Sequence, residues 1–430
     1  MKKRIIFICI LFSGLYAQAQ QELSLHFSRI VQSQETNPAI FSEKALVVGL
    51  PALSLGYSNN AFAYGDLIQK DPNSDSTILN IAGVIDQMED QNLLQTQFNV
   101  DYVKLVLTRK KWYASFQVSD KLDTRFGFSK GLVQLLWYGN APFLGESLEL
   151  TPTLNLTYYR EISVGGGIRM ENWQVGVRIK QLTGLAQASM PQAQFSLTTD
   201  ANDYHLTLQA DYLLQTSGIR AFIDDPLSAA ASVENTGMAV DFGGLYRLND
   251  QWTFQASLTN LGYINWDKDV RNFSVKGEYK FEGIEINEFL NDDSLYFEQL
   301  IDTLTQTFAP TESNQGYRSN LIPRYYLSAS WEPMKNLKVG ALLYGEWFDG
   351  FRPALALYAG QRILPFWEAG ITYVAKNKTL ANLGLQTSAN LGPVQIYAVT
   401  DNVYSLIKMR DAKQVSVRVG VNVALWKVEN

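Results

Sequence analysis

Val415-Ser416-Val417-Arg418-Val419-Gly420-Val421-Asn422-Val423-Ala424-Leu425 alternates without a miss, with valine or leucine at every odd position and small or polar residues at every even one. Successive side chains of an extended strand point to opposite faces. One face is therefore wholly aliphatic, while the other carries a guanidinium and an amide. Such a strand separates an apolar medium from a wet one, and its length matches the ~9 to 11 residues that cross a bilayer when tilted. The reading that follows is an all-β fold, a transmembrane antiparallel up-and-down β-barrel.

Working back from this last strand, the same design recurs. Trp173, Val175, Val177 and Ile179 oppose Gln174, Gly176, Arg178 and Lys180; Trp252, Phe254, Ala256 and Leu258 oppose Thr253, Gln255 and Ser257. Met238, Val240 and Phe242 oppose Asp241, and Tyr204, Leu206, Leu208, Ala210 and Tyr212 alternate with His205, Thr207, Gln209 and Asp211. Short polar turns such as Met170-Glu171-Asn172 and Asn249-Asp250 are entered or left by an aromatic residue, the sequence form of a hairpin with an interfacial girdle. In the strand that begins at Phe98 the alternation changes phase at Val103, which predicts a bulge. Arg160 breaks the apolar parity of Leu154, Leu156 and Tyr158; a lipid-facing charge at mid-depth costs about 2 to 4 kcal/mol, so Arg160 belongs at an interface or a kink. The segments number between 12 and 17, and since bacterial barrels prefer even numbers the expected count is 14, with 12 and 16 its neighbours.

Lys2, Lys3 and Arg4, the apolar run Ile5–Leu15 and Ala17-Gln18-Ala19 form a secretory signal over residues 1–19. Its removal takes away Cys9, the single cysteine, and with it every thiolate site. The formal charge of −6 becomes more negative still, which argues against nucleic acid as a partner. No later apolar run reaches the ~18 residues of a membrane helix. The expected organisation is a signal peptide, a segment 20–45 containing the turn Asn37-Pro38-Ala39 at or in one mouth, and a barrel over 46–430 in the outer membrane.

Strand character fails in three places. Ile78, Ile81, Ala82 and Ile85 have helical spacing, as do Phe297, Leu300, Ile301 and Leu304 after the acidic Asn291-Asp292-Asp293. Between them lies Gly131–Glu146, too irregular for a strand and too apolar for an exposed loop. An inward plug would cover that surface, with Trp137, Tyr138, Asn140 and Phe143 as its plug or ligand-facing residues.

Gly49-Leu50-Pro51-Ala52-Leu53-Ser54, Asn60–Ile68, Leu135–Gly145 and Tyr158-Tyr159-Arg160-Glu161 resemble a family of Bacteroidota outer-membrane barrels known mainly as a domain of unknown function. The likeness runs through most of the chain after the signal and is densest from Leu46 to Lys180. Asn37-Pro38-Ala39 also resembles the amino-terminal turn of the long-chain fatty acid transporter-like class, which includes accessory barrels of an export system. The resemblance implies about 14 strands in the outer membrane and lends no established activity.

Catalytic and metal readings fail on the residues themselves. His26 and His205, the only histidines, are far apart in sequence, and metal sites need several converging ligands. Asp71, Asn73 and Asp75 open like a calcium loop, but Ser76 stands where the glycine should be. No serine sits in a nucleophile motif. The chain is expected to be a non-enzyme without a cofactor, in contact with outer-membrane lipid. Asp101, Glu161, Arg178, Lys180, Asp211, Asp241 and Arg418 are expected to line a hydrated lumen, and Trp112, Trp173, Trp252 and Tyr263 to form girdles. The expected function is passage or holding of a small, hydrophobic ligand; the alternative is an anchor or accessory subunit of an export or surface-assembly complex, with a protein partner.

Overall fold

The computed structural model describes residues 23–70, 76–224, 235–281, 308–348, 350–375 and 382–428. The signal segment, the acidic turn at Asp71–Asp75 and the helix expected at Phe297–Leu304 lie outside them.

The wall is a closed antiparallel barrel of 14 strands. In chain order these are β1 (Lys44–Gly49 continued by Ala52–Asn59), β2 (Gln91–Thr108), β3 (Trp112–Ser129), β4 (Thr153–Arg169), β5 (Trp173–Thr199), β6 (Asn235–Arg247) and β7 (Trp252–Trp266). The second half comprises β8 (Arg324–Met334), β9 (Leu337–Trp347), β10 (Phe351–Leu364), β11 (Trp367–Ala375), β12 (Leu383–Leu391), β13 (Val394–Thr400) and β14 (Gln414–Lys427). Each strand pairs with its chain neighbour, and β14 returns to β1 from Lys44 opposite Lys427 up to Ser58 opposite Gln414. Closure leaves no wall edge unpaired, which a barrel in hydrocarbon requires because no water is there to satisfy backbone groups.

Alternation decides what each face meets. On β14 the even-numbered Ser416, Arg418 and Asn422 are buried inside, and on β5 Val175, Val177 and Ile179 are exposed outside. The phase change at Val103 is a register shift between Asp101 and Val103, which returns Lys104 to the interior. Arg160 sits beside a second shift, between Tyr158 and Tyr159. On the outer face it holds Asp120 through Nε and Nη2 at 2.7 and 2.8 Å, and Tyr102 donates to the same carboxylate at 2.7 Å.

The two rims differ. One has only short turns, such as Arg109-Lys110-Lys111, Met170-Glu171-Asn172 and Gly392-Pro393, and carries Trp112, Trp173, Trp252, Trp331 and Trp367 at strand ends. The other carries the long connections. Tyr263, the remaining expected girdle residue, lies toward that second rim under the Arg318 guanidinium, 4.1 Å from its ring centroid.

Beyond this rim β5 overshoots the wall. Its upper half pairs with Leu206–Ser217, which pairs with Val270–Phe281 and then Thr311–Ser313, while Ser147–Glu149 lies along the other edge of β5. The alternating stretch Tyr204–Tyr212 thus contributes to a projecting sheet and not to the wall. One face of this sheet groups Phe195, Leu197, Leu208 and Tyr212; the other groups Gln192, Gln209, Asp211 and Lys276.

Helix Ile81–Gln87 stands where helical spacing predicts it, with the Asn80 side chain capping Gly83 N. A further helix, Lys130–Tyr138, is capped by Ser129 and ends at Gly139 with φ of 72°, a conformation that glycine adopts without cost. Val133 packs with Ala61, Val84, Met88 and Phe128 on the long-connection rim.

Candidate functional site

The lumen is filled by the N-terminal segment. Leu23–Phe27 and Val31–Glu35 form two 3-10 turns, and their side chains are almost all buried against the inner face of the wall. Polar bonds to the wall fasten the segment along its length. The Asp401 carboxylate accepts from Leu23 N and Ser24 N at 2.7 and 2.8 Å. Gln32 and Asn422 exchange amide hydrogen bonds at 2.8 and 3.1 Å, and Asn37 donates to Gln255 at 3.1 Å. Arg178 donates to the Gln34 carbonyl and Tyr113 to that of Pro38. Apolar contacts add to these: Phe27 stacks on Tyr358 with ring centroids 4.7 Å apart, Leu23 joins Leu342 and Tyr344, Leu25 and Ile30 pack with Ala52, Tyr397 and Val399, and Val31 packs with Val47, Val106 and Tyr113.

The wall is shaped to receive the turn Asn37-Pro38-Ala39. A Cβ at Gly176 would meet the Pro38 carbonyl, and one at Gly243 would meet the Asn37 amide oxygen. Close backbone approach is what glycine permits in a strand.

Above the segment lies a chamber of about 100 Å³, lined by Lys121, Asp123, Arg178, Lys180, Arg324 and Arg418 among amides and hydroxyls, with Tyr159 and Leu321 as an apolar flank. Below it, toward the short-turn rim, a vestibule of about 950 Å³ is bounded by Arg29, Glu43, Arg169 and Arg247. Higher on the same strands as the chamber, Arg125 of β3 reaches Glu346 of β9 at 2.8 and 3.2 Å, both side chains fully buried. These strands stand six places apart around the wall, so the pair is a strut across the lumen. Asp123 accepts from Arg125 Nε at 3.0 Å and stands 3.7 Å from Arg324.

Six of the seven expected lumen charges are buried in the lumen, in two ion-paired groups. Lys180 lies 2.9 Å from Asp241 and 3.6 Å from Glu161, and Arg178 lies 3.4 Å from Asp241. Arg418 holds Asp101 at 3.0 Å. Asp211 stands apart on the projecting sheet, paired with Lys276 at 3.0 Å. Trp137, Tyr138, Asn140 and Phe143 do not reach the lumen: they lie on the long-connection rim, where Trp137 is 48% and its neighbour Leu136 78% exposed. The plug expected at Gly131–Glu146 is replaced by the N-terminal segment, because a lumen this polar is filled by side chains that hydrogen-bond.

Sequence reasoning missed Glu35, Lys104, Lys121, Asp123, Arg125, Arg324 and Glu346. Lys104 was recoverable from the phase change at Val103, and Asp123 and Arg125 from their shared parity with Lys121. Glu35 belongs to no periodic pattern.

Two titratable groups of the segment are displaced from their ordinary behaviour. Burial, with the Lys338 charge adding to it, lowers the His26 imidazole to about 3. It sits between Ser328 Oγ at 2.8 Å and Thr36 Oγ1 at 3.0 Å. Burial alone would raise the Glu35 carboxyl, but the charges of Arg418, Lys104 and Lys121 outweigh it and hold Glu35 below the usual carboxylate range. His205 lies in an exposed turn with Asp200 and Asp203.

Comparison with known proteins places residues 38–401 on the model of a family of unknown function (DUF5723). No curated protein matches the sequence. Among solved structures, a Pseudomonas aeruginosa FadL homologue is similar at 11% identity and a TM-score of 0.43, covering 95% of this chain and 96% of that one. The Ralstonia pickettii toluene transporter TbuX is similar at 8% identity and a TM-score of 0.34, with 96% of each chain covered. The translocator domain of the autotransporter NalP from Neisseria meningitidis is similar at 9% identity and 0.36, covering 96% of this chain and all of that one.

Proposed function

The chain belongs to the family of unknown function DUF5723, and with that as premise we propose that it is a non-enzymatic outer-membrane barrel that holds or passes a small molecule through a lumen gated by its own N-terminal segment. Location in the outer membrane is supported by the exposed aliphatic outer face with its tryptophan-bearing rim. The observation that carries the gating is the pair of spaces, about 100 and 950 Å³, on opposite sides of the segment. What separates them is held by hydrogen bonds and ion pairs and by Leu23, Leu25, Phe27, Ile30 and Val31, buried in three clusters against the wall. Water replaces the polar bonds on release, but the apolar surface is exposed, so release needs a ligand or a partner to drive it.

Polar and charged groups dominate the chamber, while Tyr159 and Leu321 back onto Leu182, Ile264 and Trp266. A molecule with a polar group and a modest apolar part suits that lining, and a hydrophobic body would rest on this flank. The test is single-channel conductance in planar bilayers for the full chain and for a variant lacking residues 23–37. Deletion is expected to raise conductance several-fold; unchanged conductance would overturn the gating.

The projecting sheet favours a second reading, in which the barrel is an accessory or anchor for a protein partner. Its edge strand Thr311–Ser313 is fully exposed, and exposed edges pair with other chains. Substitution of Glu312 by proline should then abolish a co-purifying complex while the barrel still assembles; retention of the complex would remove this reading.

A further inference from the structure

Of the two carboxylates in residues 23–43, Glu43 lies at the rim and Glu35 reaches into the wall network. Three wall side chains converge on Glu35. Arg418 Nη2 donates to Oε2 at 2.8 Å and Gln117 Nε2 to Oε1 at 3.3 Å, while Lys104 Nζ stands 3.6 Å from Oε1. Lys104 is only 3% exposed, and its ammonium makes no hydrogen bond among the described residues. A buried ammonium without an acceptor at bonding distance is costly. At 3.6 Å Glu35 falls short of the ~2.7 to 2.9 Å of a charge-assisted bond, held off by its tether to the segment. A free anion has no such tether.

Asp101 takes Arg418 at 3.0 Å and Gln117 at 3.0 Å. With Glu35 gone, the cradle would keep the charges of Lys104 and Arg418 against one carboxylate. Glu35 and Arg418 both line the chamber, together with Ser54, Gln97, Asn99 and Ser416. A solute in the chamber therefore reaches the cradle past hydroxyls and amides. The nearby Asp101 charge disfavours a dianionic phosphate, whereas a singly charged planar carboxylate repeats what Glu35 already offers the guanidinium.

We propose that Arg418, Lys104 and Gln117 form a carboxylate site that Glu35 fills in the closed barrel, and that a small hydrophilic organic carboxylate entering the chamber takes its place and unlatches the N-terminal segment. The inference rests on the gated-chamber reading and names its ligand class.

4-Hydroxybutanoate is the probe, since it is singly charged and hydrophilic and presents the Glu35 carboxylate on a free chain. Calorimetric titration of the full protein in detergent is expected to show at least tenfold tighter 4-hydroxybutanoate binding to E35A than to the unsubstituted chain. E35A/R418Q should lose that gain. Sulfate at equal ionic strength should not compete. Equal affinities for E35A and the parent, a gain that survives R418Q, or full competition by sulfate would each overturn the proposal. Heat-modifiable migration checks that each barrel is closed. If E35A does not fold, E35Q, which keeps the shape and loses the charge, is expected to bind more tightly than the parent in the same assay, and equal binding would refute the site. Because the readout is equilibrium binding, a negative result leaves gating standing, and a conductance failure of the 23–37 deletion leaves the cradle standing.

Discussion

Two stretches of this chain, Leu23–Glu43 and Lys130–Gly145, are neither wall strands nor simple turns, and they occupy opposite environments. The second is the more apolar, with Leu132, Val133, Leu135, Leu136, Trp137, Phe143 and Leu144, yet it sits on the rim with much of that surface exposed. The first is interspersed with Ser24, His26, Gln32, Ser33, Gln34, Thr36 and Asn37, and all of these are buried. A soluble globule would sort them the other way round. In a barrel the lipid-facing side takes the aliphatic residues and the inside is wet, so the segment that belongs inside is the one whose groups can be paired there.

The sharpest way to break this contrast is to delete each stretch in turn. Loss of residues 23–37 should raise bilayer conductance several-fold, and loss of 132–144 should leave it unchanged; the reverse result would restore the apolar stretch as the plug. Next in size is the cross-lumen strut. Glu346→Gln leaves Arg125 buried with Asp123 as its remaining carboxylate, and removing one partner of a buried pair costs about 3 kcal/mol. A lowered temperature for loss of heat-modifiable migration would show it.

Acidification tests the buried segment through its one histidine. His26 is held neutral, with its value lowered to about 3 from an ordinary 6.5. Between those values the released segment binds a proton that the seated one does not, so seating is at full strength above about 6.5 and weakens as pH falls toward 3. At pH 5 the loss is about 2 kcal/mol, one unit being worth about 1.36. Protease cleavage within residues 28–34 should rise from pH 7 to pH 5, and His26→Gln should flatten that rise. Gly176→Val strikes the same segment sterically, through the Pro38 carbonyl, and overpacking of this kind costs about 1 to 3 kcal/mol; increased cleavage at pH 7 is the readout. Smallest of all, Leu136→Ser on the rim should change stability by no more than about 0.5 kcal/mol, measured by the same gel shift.

Wall residues were legible because a closed barrel writes itself as a period of two. Val415–Leu425, Trp173–Lys180 and Trp252–Leu258 announce which side chains face outward, and the phase change at Val103 announces a bulge. Arg178, Lys180, Asp241 and Arg418 could be placed inside on parity alone. The occupant of the lumen could not, since Leu23–Glu43 has no period and its meaning lies in partners hundreds of residues away. Asp211 misled for the opposite reason: its strand alternates like a wall strand, and nothing local distinguishes a projecting sheet from the barrel below it.

The bonds of the N-terminal segment also bear on the order of events during assembly. Leu23 and Ser24 are bound to Asp401, Gln32 to Asn422 and Glu35 to Arg418, so the first described residues wait for the last ones to be made. Pairing across nearly the whole chain carries a large closure entropy and is intrinsically slow. The strand that supplies Arg418 and Asn422 is also the one that closes the seam against β1. Seating of the segment therefore reports that β14 has closed the seam, and a chain truncated before Gln414 would lack both β14 and the latch that Arg418 and Asn422 supply.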